Sequence, residues 1–203
     1  MSINRKPNPT GVDEIIDRWQ DLLYTGLLNR GWADYESYHR AYKDIDKGTV
    51  NPMIHIINSD MEQVPMNDKF AVNSFFLVSD DSEEVNGLME STVSVIFQGD
   101  LKKIYPNSPH RFDEELINDV KAVSRNLDGR FRDIKISRGI ENVYAEFNTE
   151  LIKEKLHDRQ PYNVVRFDMT VKYQHHCSDV YAKVIPPIII GRSYSSSYSS
   201  SYN

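Results

Sequence analysis

The stretch Asn163-Val164-Val165-Arg166-Phe167-Asp168-Met169-Thr170-Val171-Lys172-Tyr173-Gln174 decides the fold class. Val165, Phe167, Met169, Val171 and Tyr173 fall on one side of it. Arg166, Asp168, Thr170, Lys172 and Gln174 fall on the other, which is the period of two of a half-buried β-strand. A slip of one residue would turn the whole apolar set into water, so the register is firmly specified. One face of the resulting sheet must pack under helices, and the other is expected to meet solvent or a partner.

Working back from this strand, the helices that could cover it stand out. Val12, Ile15, Ile16, Trp19, Leu22, Leu23 and Leu27 recur at helical spacing, with Asp13, Glu14 and Asp17 near the positive end of the helix dipole. Thr10 and Asp13 read as an N-cap pair, and Gly31 as the stop. A second stripe of Leu116, Ile117, Val120, Val123 and Leu127 begins near Phe112 and closes at Asp128-Gly129. Strands are expected over Met53–Ile57, Phe70–Val78, Thr92–Gln98, Ile134–Ser137 and Ile140–Phe147, the last two turned at Arg138-Gly139. The acidic run from Ser79 to Gly87 reads as a solvated hairpin loop, and Leu151–Leu156 as a short helical turn. The sum is an α+β fold, an antiparallel or mixed sheet with two main helices on one face.

The organisation along the chain is a short N-terminal arm (1–9), one α+β domain (10–178), an apolar proline-containing arm (179–191) and a Ser/Tyr-rich flexible tail (192–203). At 203 residues the chain is long enough for one cored domain and short for two. Its net charge of -6 disfavours generic binding to a phosphate backbone. The single cysteine, Cys177, forms no internal disulfide, so the fold does not rest on an oxidising compartment. Neither a run of about 18 apolar residues nor a signal peptide is present, and folding in the cytoplasm is expected.

Few local motifs carry chemistry. A phosphate-binding glycine loop, a dinucleotide fingerprint, zinc spacing and a nucleophile elbow are all missing. His175-His176-Cys177 is the nearest thing to a metal cluster, but adjacent strand residues point to opposite faces. His110-Arg111 precedes a helix, where acids at Asp113, Glu114 and Glu115 cancel its pull on an anion. The acidic pairs Asp80-Asp81 and Glu83-Glu84 lack the spacing and glycine of a calcium loop. No catalytic residue, metal or cofactor is expected. Trp32, Tyr35, Tyr38 and Tyr42 recur every three or four residues and could share one side of a short helix or wrapped loop. They read as cover for the core or as a subunit interface, with a base-stacking platform as the sharper alternative. In Val184–Ile190 the residues Ile185, Pro186, Pro187, Ile188, Ile189 and Ile190 are apolar, yet the prolines stop a central strand or helix. This segment reads as an addition to a sheet edge, on its own subunit or a neighbour, or as a cover for its own core.

The order of these elements resembles the tail-terminator and tail-completion proteins of tailed bacteriophages. The resemblance runs from Ser91 to about His175. It is carried by Thr92–Gly99 as a meander strand, Phe112–Val123 as a packing helix and Val164–Tyr173 as the closing strand, with Val12–Leu28 fitting as the N-terminal helix. The Ser/Tyr tail is similar to virion proteins of crAss-like podoviruses. This resemblance implies a structural, non-enzymatic virion protein, assembled in the host cytoplasm. It implies a homo-oligomeric ring, sixfold or twelvefold, at the head–tail junction, in contact with portal, connector or tail proteins. An acidic lumen would let DNA pass without sequence-specific binding. Two other readings stand beside it: a small cytoplasmic α+β enzyme or ligand-binding domain, and a host-directed interaction protein whose tail folds on a partner.

Overall fold

Residues 2–46, 49–55, 61–64, 71–83, 88–125, 131–155 and 161–174 are described in a computed structural model of the chain. The decisive stretch is a strand, β8 (Tyr162–Gln174), flanked by β6 (Leu88–Asp100) and β7 (Phe131–Arg138). Both pairings are antiparallel, and β6 faces β8 without interruption from Leu88↔Gln174 to Asp100↔Tyr162. Val165, Phe167, Met169, Val171 and Tyr173 all enter the larger core cluster, as their alternation requires.

The other strands are β1 (Ser2–Asn4), β2 (Tyr35–Asp46), β3 (Thr49–His55), β4 (Met61–Gln63) and β5 (Val72–Glu83). They extend the sheet in the order β4-β3-β2-β5-β6-β8-β7, with β1 beside β2 off this path. β1–β2 and β2–β5 are parallel and the rest antiparallel, so the sheet is mixed. The fold class is α+β.

Two helices lie over one face, α1 (Val12–Leu28) and α3 (Phe112–Ser124). Ile16, Trp19, Leu23 and Leu27 of α1 are fully buried, and so is the stripe Leu116, Ile117 and Val120 of α3. The helices approach closely at Gly26, where an added Cβ would lie 2.5 Å from a methyl of Val123. Gly31, with φ +88°, takes the left-handed turn that ends α1, and the Trp32 amide returns to the Leu27 carbonyl at 3.1 Å. Thr10 is not the cap expected of it. Gly11 holds that position without a side-chain bond, and Asp13 turns inward instead.

Three other expectations are corrected. Trp32–Tyr42 is neither helix nor wrapped loop: a turn leads into β2 at Tyr35. The helix-like spacing of its rings comes from a strand with an irregularity. Ser37 pairs Ser74 but Arg40 pairs Phe76, so the chain gains a residue between them and changes its facing. Ile140–Phe147 is not a strand. It contains α4 (Ile140–Val143), entered through Gly139 at φ +82°. Ile140, Val143, Tyr144 and Phe147 follow i, i+3, i+4, i+7 spacing, a helical period that β-propensity obscured. The acidic hairpin loop is also shorter than expected. β5 runs to Glu83 and β6 starts at Leu88, and residues 84–87 lie outside the described residues. A further short helix, α2 (Leu101–Ile104), follows β6, its first turn capped by the Asp100 carboxylate accepting from the Lys102 amide at 3.0 Å. The helical turn expected at Leu151–Leu156 is α5 (Thr149–Lys155).

The second sheet face is not left to solvent. Ile140, Val143, Tyr144, Phe147 and Ile152 from the α4–α5 region join Tyr38, Ala41, Ile54, Val64, Phe75, Leu77, Ile96 and Val164 in a second buried cluster. The sheet is therefore a middle layer with apolar packing on both sides.

Candidate functional site

Of the residues singled out in the sequence, Trp32, Tyr35 and Tyr38 are taken up by the chain's own core, at 1%, 0% and 3% exposure. Trp32 meets Tyr35, Phe97 and Tyr105 edge-on at 5.5, 5.9 and 6.1 Å between ring centres. Its indole N–H donates to Asp119 at 2.9 Å, and the same carboxylate accepts from Tyr105 Oη at 2.8 Å and pairs with Arg30 at 2.9 Å. One aspartate on α3 thus ties together the end of α1, the turn before β2 and the segment after α2. Burial pushes the Tyr105 and Tyr35 phenols up, Tyr35 to about 12. Tyr38 belongs to the opposite cluster and donates to Glu36 at 2.5 Å. The rings therefore do not share a side. Of the readings made of these residues, cover for the core is what the fold shows for Trp32, Tyr35 and Tyr38. Ile185–Ile190 lie outside the described residues, as do His175, His176 and Cys177.

Tyr42 differs, because it is half-buried and meets the N-terminal segment. Lys6 Nζ donates to its hydroxyl at 2.8 Å, and Lys6 and Arg40 lie 5.5 and 5.3 Å from the ring centre. Lys6 also pairs with Asp13, whose carboxylate is only 6% exposed and lies 3.5 Å from Arg40. Burial alone would lower the Lys6 pKa, but its bonds to Asp13 and Tyr42 outweigh that and hold it above the ordinary value. His39 sits beneath this group, 2% exposed, with Nε2 3.3 Å from the Asp13 carbonyl oxygen and Nδ1 without a hydrogen-bond partner. Burial, the largest influence, lowers the His39 pKa against the pull of Asp13, so the ring is neutral at neutral pH. The irregularity in β2 creates this cluster. Before it Tyr35 and Ser37 face α1; after it Arg40 does so despite the change of parity.

The N-terminal segment is expected to be an arm, and the structure shows how it is attached. β1 lies parallel to β2 in the register Ser2↔Glu36, Ile3↔Ser37, Asn4↔Tyr38. Ser2 and Asn4 donate to the Glu36 carboxylate, Gln20 Nε2 donates to the Asn4 carbonyl at 3.2 Å, and Arg5 pairs with Asp17 and Asp21 on α1.

A second polar network stands on the other sheet face. Arg166, 8% exposed, donates to Asp168 at 2.5 Å and to Glu146 at 3.0 Å. Asp168 also accepts from Ser94 at 2.6 Å, and Glu146 pairs with Lys43. Burial acts to raise the Glu146 carboxyl, but bonds from Lys43 and Arg166 win and hold it low. These charges satisfy one another, which makes the network a tie between β2, β6, β8 and the turn after α4. Of His110-Arg111, Arg111 is spent similarly, forking onto the buried Asp113 at 2.9 and 3.1 Å. An open groove between α1 and α3 is lined by Arg18, Asp21, Thr25, Gly26, Asn29 and Val123. Among the described residues, no three His, Cys, Asp or Glu side chains are grouped to hold a metal, and no helix is long and apolar enough to cross a membrane.

No protein-family model matches the chain, and a search of curated proteins returns no match. The function must be argued from the molecule. Sequence reasoning missed the Lys6–Asp13–Arg40–Tyr42 group because its members lie far apart in the chain. The one local signal was the basic pair Arg5-Lys6 followed by acids at Asp13, Asp17 and Asp21, whose spacing lines one helix face.

Proposed function

We propose that this protein is a structural subunit of a homo-oligomeric ring at the head–tail junction of a tailed bacteriophage, where it extends or seals the DNA channel between portal and tail. One observation carries this reading. Among the described residues the sheet is open at both ends, and an apolar segment follows β8 in the sequence. β7 and β4 are the terminal strands, with no further strand beyond either among the described residues. A bare strand edge is a template for pairing with another chain. β7 carries the exposed Ile134, at 43%, and lies beside β8, after which the sequence continues to Val184–Ile190. Two different open edges on one subunit favour heterologous contacts, and heterologous contacts that close give rings. The α+β body with α1 and α3 on one sheet face is also the arrangement that the resemblance to tail terminators implies. A net charge of -6 suits a channel wall past which DNA must slide.

The test is light scattering and negative-stain imaging of the full chain, alone and with a portal ring. Rings of six or twelve subunits, or recruitment to the portal, are expected. A chain that stays monomeric across the concentration range and ignores the portal overturns the reading. Removing residues 184–203 should leave the body folded and weaken the ring.

A further inference from the structure

The attachment of the N-terminal segment is unusual in its chemistry. β1 has three residues, all half-buried, and Ile3 is the only aliphatic one among them. What holds residues 2–6 is mostly polar: Ser2 and Asn4 on Glu36, Arg5 on Asp17 and Asp21, and Lys6 on Asp13 and Tyr42. Exposed pairs of the Arg5 kind contribute little to stability and weaken with salt. Such a segment detaches far more easily than the body unfolds.

What it covers is a strand edge. β3 takes the β2 edge opposite β5 from Ala41 onward, and β1 takes the rest of that same edge at Glu36–Tyr38. Without β1, a row of backbone groups and the 6%-exposed Glu36 carboxylate would open to water. The connection from β1 to α1 reads Arg5-Lys6-Pro7-Asn8-Pro9-Thr10-Gly11. It brings the strand back onto its own β2 through two left-handed residues, Asn8 at φ +51° and Gly11 at φ +61°. Asn and Gly are the residue types that take this region at least cost, so the chain turns sharply here between β1 and α1. A terminal element joined through such a turn can be exchanged between identical copies at low cost, because the same contacts form in trans.

We propose that residues 2–9 are an exchangeable strap, and that in the assembled protein the Glu36–Tyr38 edge of β2 receives the strap of a second copy. The charges match this occupant: the strap brings Arg5 and Lys6, and the receiving surface presents Asp13, Asp17 and Asp21. The inference rests on the homo-oligomer reading and adds the element that links neighbours.

Two chains separate the cases, both carrying Cys177→Ser. One has Pro7→Cys and a size tag, and the other has Glu14→Cys. Both positions are exposed, lie outside the ion pairs of the strap and neighbour Lys6 and Asp13 in the chain, so folding and the strap contacts are preserved. The chains are mixed at about 1 M salt, where the Debye length is about 3 Å, and returned to about 0.1 M. A short bis-maleimide is then added, and tagged–untagged covalent dimers are read on a denaturing gel. Exchange predicts a dimer yield several-fold above that of a control pair, Pro7→Cys with Asn107→Cys, whose second site is exposed and follows α2, outside the strap contacts. A yield no greater than the control, in a sample that light scattering shows to be oligomeric, overturns the strap and leaves the ring reading standing. A sample that is monomeric throughout overturns both.

Discussion

On one face of the sheet, long helices lay Trp19, Leu23, Leu27, Leu116 and Val120 into one cluster with Phe76, Val95, Phe97 and Phe167. On the other face, among the described residues, no helix exceeds two turns. Tyr144, Phe147 and Ile152 from the α4–α5 region meet Phe75, Ile96 and Val164, and the Arg166–Asp168–Glu146 network stands beside them. The first face is closed by area and shape, the second by a smaller apolar patch and a set of mutually satisfied charges. The difference teaches where each side is vulnerable. Apolar burial has no single partner whose loss strands another group, whereas a charge network fails as a unit.

The largest effect should come from the first face. Trp19 is fully buried and meets Phe76 edge-on at 5.2 Å. Trp19→Ala removes the largest side chain of α1 from the core and is expected to cost about 3–5 kcal/mol, seen as a lower urea midpoint with little change in the m-value. A loss under about 1 kcal/mol would mean that α1 rests on the sheet much more loosely than its burial implies.

The second face should lose less to a single change but show coupling. Arg166→Met strands Asp168 and Glu146, and because both are partly exposed the expected loss is about 2–3 kcal/mol, below the full range for a buried pair. Arg166→Met combined with Asp168→Leu and Glu146→Gln should recover part of that stability, since the uncompensated charges are gone. If the triple variant is instead less stable by the sum of its single changes, the network is not a unit and the contrast between the faces fails. A smaller effect is expected where α1, α3 and the turn before β2 meet. Asp119→Ala leaves the Trp32 indole N–H and the Tyr105 hydroxyl without that acceptor and should cost about 1–2 kcal/mol.

The same contrast explains what could be read in advance. Trp19, Leu23 and Leu27 announce α1 by spacing alone, and Val165, Phe167 and Met169 announce β8, because long regular elements with one buried face write their period into the sequence. α4 is four residues long, so Ile140, Val143 and Tyr144 offer too little of a period to outweigh the β-propensity of Ile and Val. In β2 the extra residue between Ser37 and Arg40 breaks the alternation, and Tyr35, Tyr38 and Tyr42 then imitate a helix. The Lys6–Asp13–Arg40–Tyr42 group was out of reach for a different reason. It depends on the parallel return of β1 onto β2, a long-range pairing that no local pattern encodes.

The smallest effect belongs to His39 and gives the first face its own polar test. Its Nε2 lies near the Asp13 carbonyl and its Nδ1 has no partner, so a second proton would place an N–H in a buried site with no acceptor. Lys6 opposes that charge, Asp13 and Asp17 favour it, and burial outweighs them, holding the folded pKa below the ordinary 6.5. The unfolded chain therefore binds the proton first as pH falls. The His39 contribution is complete above about pH 6.5 and is lost as the pH drops toward the folded pKa. Urea unfolding from pH 7.5 to 5 should show the wild type losing stability faster than His39→Gln, the difference in slope staying within the roughly 1.4 kcal/mol per pH unit of one proton. Parallel slopes would mean that His39 titrates as it does in the unfolded chain. The seat under the start of α1 would then be open to water, and the strap that lies over it would be holding nothing closed.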